Sequence, residues 1–187
     1  MNAFFKKNWS NLLFVIIFVL LLVPQTRMPI QVFIQRLMSF SPSEISKNDQ
    51  LLLHDYNWSL SNLKGASTNL KNNEGNILLI NKWATWCPPC VAEMPSLQKL
   101  YNAYGDKVSF YFITDEAPEK LNAFMLKNGY DFPVYISRSS APKKLNSNSL
   151  PTTYLIGKDG AIVIQKVGAA DWNSNSVHET LDRLMEL

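Results

Sequence analysis

Cys87 and Cys90 are the only thiols in a chain of 187 residues, and they stand two residues apart in Trp86-Cys87-Pro88-Pro89-Cys90. Such a pair can cycle between dithiol and disulfide. The attacking species is a thiolate, and a helix N-terminus stabilises negative charge there. A second thiol about one helical turn on can break the resulting mixed disulfide and release the product. The flanking sequence offers that placement. An apolar strand pattern, Ile77-Leu78-Leu79-Ile80, precedes the pair, and a helical pattern follows it. A Cys-x-x-Cys where a strand hands over to a helix is a redox arrangement. A structural staple is the rival reading, but so small a loop contributes little stability. Zinc wants four ligands, and no spaced Cys or His completes the set. His54 and His178 are lone histidines, read as surface or structural residues.

The elements that must position the pair can be read along the chain. Residues 56–60 and 66–70 read as short strands around the turn Asn62-Leu63-Lys64-Gly65, and Glu74-Gly75-Asn76 leads into a strand over 77–82. A helix is expected over Pro88–Tyr104 with Gly105 as its stop signal. Residues 107–114 are apolar on both faces, as a central strand would be. A helix over 118–127, closed by Asn128-Gly129, and a strand over 131–136 come next. Residues 137–149 read as loop with a helical turn near 142–145. Thr152–Ile156 and 161–166 flank Lys158-Asp159-Gly160 as a hairpin, and 174–187 reads as a closing helix. Alternating strands and helices ending in a hairpin and a helix predict an α/β domain with a mixed sheet.

Length leaves room for one such domain and an appendage. A formal net charge of +3 is too small to imply a polyanionic partner, and no nucleic-acid function follows from it. The appendage is N-terminal. Lys6 and Lys7 precede an uninterrupted apolar run over 12–23, and no charge appears until Arg27. The run alone is short for a bilayer core, which wants about 20 residues, but its uncharged flanks extend it and Trp9 suits an interfacial anchor. A cleaved signal peptide would need a small-x-small site, and Val23-Pro24-Gln25-Thr26-Arg27 offers none. The expectation is therefore an uncleaved signal anchor over 1–27, with a transmembrane helix and the rest of the chain outside the cytoplasmic membrane. Residues 28–50 read as an amphipathic segment and a polar linker, and 51–187 as the folded domain. Within the segment, Ile30, Phe33, Ile34, Leu37 and Met38 form one helical stripe. That stripe could pack on the domain or lie on a membrane surface.

The string Asn81-Lys82-Trp83-Ala84-Thr85-Trp86-Cys87-Pro88-Pro89-Cys90 is followed by Glu93, Pro95, Leu150-Pro151-Thr152-Thr153-Tyr154 and Gly157-Lys158-Asp159-Gly160. With these residues the chain resembles thioredoxin-fold proteins, and more narrowly the membrane-anchored thiol-disulfide oxidoreductases of the TlpA/ResA type. The resemblance covers roughly 56–187. It implies a thioredoxin-like fold with an N-terminal β-hairpin, no cofactor beyond a redox-active Cys87-Cys90 disulfide, Cys87 as exposed nucleophile and Cys90 as buried resolving thiol. It also implies a cis Pro151, with Trp86, Pro88, Leu150 and Pro151 meeting the substrate.

Glu93 lies three residues beyond Cys90 on one helix, so the two side chains are neighbours. A carboxyl near a buried thiol has its pKa raised and can exchange protons with it; a solvated first-turn charge is the alternative. The resemblance gives a Glu at this offset a tuning role. Thioredoxins carry a buried Asp where this chain has Asn81, which leaves Glu93 as the proton-handling candidate. Lys82, where relatives usually have Phe, is left unexplained. Pro88 and Pro89 lack the N–H groups that would stabilise a Cys87 thiolate, so reduction of substrates is expected over oxidation. By resemblance the electron donor would be a DsbD- or CcdA-type membrane protein. Substrates would be disulfide-bonded proteins of the envelope, apocytochrome c in cytochrome c-type biogenesis among them. A disulfide oxidase or isomerase on the same fold, and a redox-inert thioredoxin-like binding module, are the other readings. Pro95 should either kink the helix or mark its true start.

Overall fold

The computed structural model describes residues 9, 11–16, 18 and 23–186. Seven strands make one sheet: β1 (Ser59–Asn62), β2 (Ser67–Asn69), β3 (Leu78–Lys82), β4 (Ser109–Thr114), β5 (Val134–Ser137), β6 (Thr152–Ile156) and β7 (Ile162–Val167). Their order is β2-β1-β5-β4-β3-β6-β7. Strands β3, β4 and β5 are parallel, and β1 and β6 join them antiparallel from either side. The helices are α1 (Pro24–Leu37), α2 (Pro88–Tyr104), α3 (Pro118–Asn128) and α4 (Asn175–Glu186).

The sheet is mixed and covered on both faces, as the alternating pattern requires. Phe110 and Phe112 of β4 join one buried cluster with Leu79, Leu97, Leu100, Leu121 and Leu181. Tyr111 and Ile113 join the other with Leu78, Ile80, Trp58 and Leu70. Successive strand residues point to opposite faces, so a strand apolar at every position must sit in the middle. Helix α2 runs through Pro95 as one continuous element, neither broken nor begun there. It ends at Gly105, where a Cβ would lie 2.7 Å from the Tyr101 carbonyl. Gly129 closes α3 with φ +68°, a left-handed conformation that favours glycine.

Residues 39–50 differ from the expected linker. Asp171 N–H donates to the Phe40 carbonyl (3.0 Å) and Ile45 N–H to the Val163 carbonyl (2.8 Å). Glu44 accepts from Thr180 Oγ1 and from Arg183, each at 2.5 Å. Short polar residues suggest a free linker, but here the folded domain supplies partners for their polar groups, and the segment becomes a strap.

Helix α1 packs against α2. Met28, Gln31, Val32 and Gln35 are half-buried, whereas Phe33, Ile34, Leu37 and Met38 of the apolar stripe are exposed. Residues 9, 11–16 and 18 are helical. Most of the anchor expected over 1–27 lies outside the described residues, and among the described residues no helix is long and apolar enough to cross a membrane.

Candidate active site

The C-terminal end of β3 sets the site. Strand alternation turns Asn81 towards α2 and Lys82 towards the opposite face. Trp83 is buried against Phe124 and Phe132, with ring centroids 5.4 and 6.5 Å away, so it is a packing residue. A short turn then carries the chain through Thr85 and Trp86 into α2. Cys87 is the N-cap of that helix, and Pro88 and Pro89 occupy its first positions. The Cys90 N–H donates to Cys87 Sγ at 3.3 Å, the one donor the two prolines leave in the first turn. Cys87 and Cys90 are joined in a disulfide.

The expectation of an openly exposed Cys87 needs correction. Cys87 is 4% exposed and Cys90 0%. As N-cap, Cys87 turns its sulfur back over the first helical turn, and it packs in the same cluster as Trp83 and Ala84. Of the two cysteines Cys87 is still the less buried. Trp86, at 62% exposure, is what the site presents to solvent.

Glu93 is not a solvated helix charge. It is 1% exposed. Its Oε1 accepts from Asn81 Nδ2 (2.8 Å), and its Oε2 from Trp172 Nε1 (3.0 Å) and the Ala170 N–H (3.2 Å). Burial pushes the carboxyl up to about 8, against the pull of these three hydrogen bonds and the charge of Lys166. Asn81 Nδ2 also donates to Thr153 Oγ1 at 2.7 Å, across the paired strands β3 and β6. The Leu150–Pro151 peptide is cis. Leu150 and Trp86 border one open groove of about 660 Å³, which brings two of the expected substrate-facing residues together.

Three partners in this site were not among the expected site residues. Trp172 reaches Glu93 from 79 residues away, with no motif to mark it. Thr153 could have been found from the register of β6 against β3. Glu116 follows β4 and clamps the turn before Trp86: its carboxylate accepts from the Thr85 N–H (2.5 Å) and from Thr85 Oγ1 (2.8 Å). Burial raises the Glu116 pKa, but the Lys120 ammonium and the two Thr85 donors outweigh it and hold the carboxyl below its ordinary value. Glu116→Ala leaves a backbone N–H and a hydroxyl without their acceptor. It is expected to cost about 2 kcal/mol in urea unfolding; an unchanged midpoint would mean that the turn is held by other contacts. His178 bonds Tyr104 Oη and Asn173 Oδ1, each at 3.1 Å, as a structural histidine would.

Comparison with known proteins bears on this geometry. The redoxin family model matches residues 45–182. The chain belongs to the redoxin family. Within that family its relatives are thiol-disulfide oxidoreductases of the TlpA/ResA type. It is 35% identical over 148 residues to the thioredoxin-like protein YneN of Bacillus subtilis, covering 77% of this chain and 85% of the relative. It is 33% identical over 129 residues to the thiol-disulfide oxidoreductase ResA of Halalkalibacterium halodurans, covering 67% and 72%. Among solved structures, a DsbF homologue from Corynebacterium diphtheriae superposes with a TM-score of 0.54 at 20% identity over 79% of this chain and 98% of the other. A secreted thiol-disulfide isomerase from Corynebacterium glutamicum gives 0.57 at 20% identity over 77% and 91%. These superpositions establish the thioredoxin-like fold of this redoxin. Its family and its relatives make it a thiol-disulfide oxidoreductase with a cysteine centre.

Proposed function

We propose that this redoxin is a membrane-tethered reductase of protein disulfides, working outside the cytoplasm. The observation that carries the direction is the lone Cys90 N–H at Cys87 Sγ. A thiolate with one first-turn donor instead of several is weakly stabilised, so the reduced pair readily gives up its electrons. Cys87 thiolate attacks one sulfur of the substrate disulfide, and the other sulfur leaves as a thiolate and takes up a proton. Cys90 then loses its proton, attacks Cys87 Sγ and releases the second substrate thiol. Two electrons have passed to the substrate, and the Cys87–Cys90 disulfide has formed. In this reading Glu93, buried three residues beyond Cys90 on α2, takes the Cys90 proton as a carboxylate and returns it when the disulfide is opened again.

A reductase outside the cytoplasm must be recharged, and a membrane protein of the DsbD or CcdA type would supply the dithiol. Apocytochrome c before haem attachment is one substrate that suits such a reductase. The basic start, the apolar run over 12–23 and the exposed apolar residues of α1 support attachment to the membrane. Equilibration of the Cys87–Cys90 pair against glutathione or dithiothreitol tests the direction. The expected potential lies near the thioredoxin value of about −270 mV; a value near that of DsbA, about −120 mV, would make the protein an oxidant.

A further inference from the structure

Lys82 places an ammonium beside a sheet face whose other residues, Leu78 and Ile80, are apolar and buried. Its Nζ donates to the Ser147 carbonyl at 2.6 Å. Its cross-strand neighbour on β6, Thr152, holds the same loop. Thr152 Oγ1 donates to the Ser149 carbonyl (2.7 Å) and pairs with Ser147 Oγ (2.8 Å), which also accepts the Ser149 N–H (3.1 Å). Two adjacent positions of the sheet therefore grip residues 147–149, and Lys82 is the charged one. Lys82, Trp86 and Leu150 all border the 660 Å³ groove, together with Trp58, Asp115 and Arg138. Burial lowers the Lys82 pKa, and Asp115 opposes that shift. A partly desolvated cation is costly without a compensating contact. Here the compensation is the loop carbonyl, three residues before Leu150.

We propose that Lys82 is a positioning residue for polypeptide substrates: by holding the Ser147 carbonyl it sets residues 147–150 against the groove where the chain flanking the reacting disulfide lies. Lys82 lies on the face of β3 opposite Asn81 and Glu93. The consequence is selective. Binding of an extended peptide depends on Lys82, whereas exchange with a small disulfide that never fills the groove does not.

The inference rests on thiol-disulfide exchange through Cys87, in either direction. Its test compares the full-length chain with Lys82→Met, which keeps the length but loses the donor, and Lys82→Arg, which keeps a donor. Three readouts are measured: kcat and KM for a disulfide-bonded peptide, the exchange rate with 5,5′-dithiobis(2-nitrobenzoate), and the potential of the Cys87–Cys90 pair. Lys82→Met should raise the peptide KM about tenfold, the order expected for one lost charge-assisted hydrogen bond. Its kcat, small-disulfide rate and potential should stay at wild-type values, and Lys82→Arg should recover most of the KM. An unchanged peptide KM overturns the proposal. So does a parallel loss with both disulfides, which marks general damage, or a shifted potential, which marks action on the cysteines. A wild-type chain inert to both disulfides would remove the exchange chemistry and this inference with it.

Discussion

Cys90→Ser is expected to stop turnover while accumulating a mixed disulfide through Cys87, and Cys87→Ser to stop turnover without one. The geometry separates the two variants. Cys87 caps α2 and keeps slight exposure, while Cys90 is wholly buried. A substrate can therefore reach Cys87 alone, and the internal attack by Cys90 is what releases it. Serine at 90 keeps the N–H that faces Cys87 Sγ but removes the resolving thiol. Loss of turnover should be at least about 10³-fold in each variant, the scale at which removal of a covalent nucleophile or its partner is felt. Non-reducing electrophoresis of cells expressing Cys90→Ser should show discrete adducts, and mass spectrometry should identify them as disulfide-bearing proteins of the membrane and the extracytoplasmic space. Adducts with cytosolic proteins alone would place the enzyme elsewhere. Trapping by Cys87→Ser instead would make Cys90 the nucleophile.

The sequence carries much of this site because its chemistry is local. Cys87, Pro88, Pro89, Cys90 and Glu93 lie within seven residues, and the strand before them and the helix after them have unmistakable periodicities. Helix α2 begins and ends at the residues expected, because an N-cap with two prolines and a terminal glycine are strong boundary signals. What could not be read is non-local. The burial of Glu93 depends on the loop carrying Ala170 and Trp172, and the Thr85 clamp on Glu116 at the end of another strand. The strap over 39–50 defeated composition for the same reason. Serine, glutamate and proline describe a linker until Val163, Thr180 and Arg183 are known to face them. Lys82 departed visibly from the family pattern, yet its partner Ser147 lies 65 residues away.

Glu93→Gln is expected to remove an inflection near pH 8 from the pH–rate profile and to slow turnover by about 10²-fold, the lower end of what a positioned acid or base contributes. The same substitution should change how stability depends on pH, and the sign follows from the direction of the shift. The folded pKa, about 8, is above the ordinary value of 4.5. Between these values the folded chain holds a proton that the unfolded chain has released. The stability contributed by neutral Glu93 is thus complete below about pH 4.5 and is lost as pH rises through about 8. The loss is on the order of a few kcal/mol. Glutamine cannot ionise, so wild type should fall relative to Glu93→Gln across this window in urea unfolding. Glu44 and Glu116 have lowered pKa values, so their contributions are lost as pH falls and cancel in the comparison. Asn81, whose Nδ2 donor favours the ionised form, bears on the same titration. Its Oδ1 has no hydrogen-bond partner among the described residues, although it is fully buried. A turn of the amide would aim that oxygen at Glu93 Oε1, where it could accept the carboxyl proton. Ionised Glu93 suits the Nδ2 donor, which is the arrangement observed, and protonated Glu93 suits the oxygen. Asn81→Leu, which can do neither, should leave Glu93 without its Oε1 partner and move the inflection, while Glu93→Gln abolishes it. An inflection near pH 8 that persists in Glu93→Gln would assign the titration to a cysteine instead.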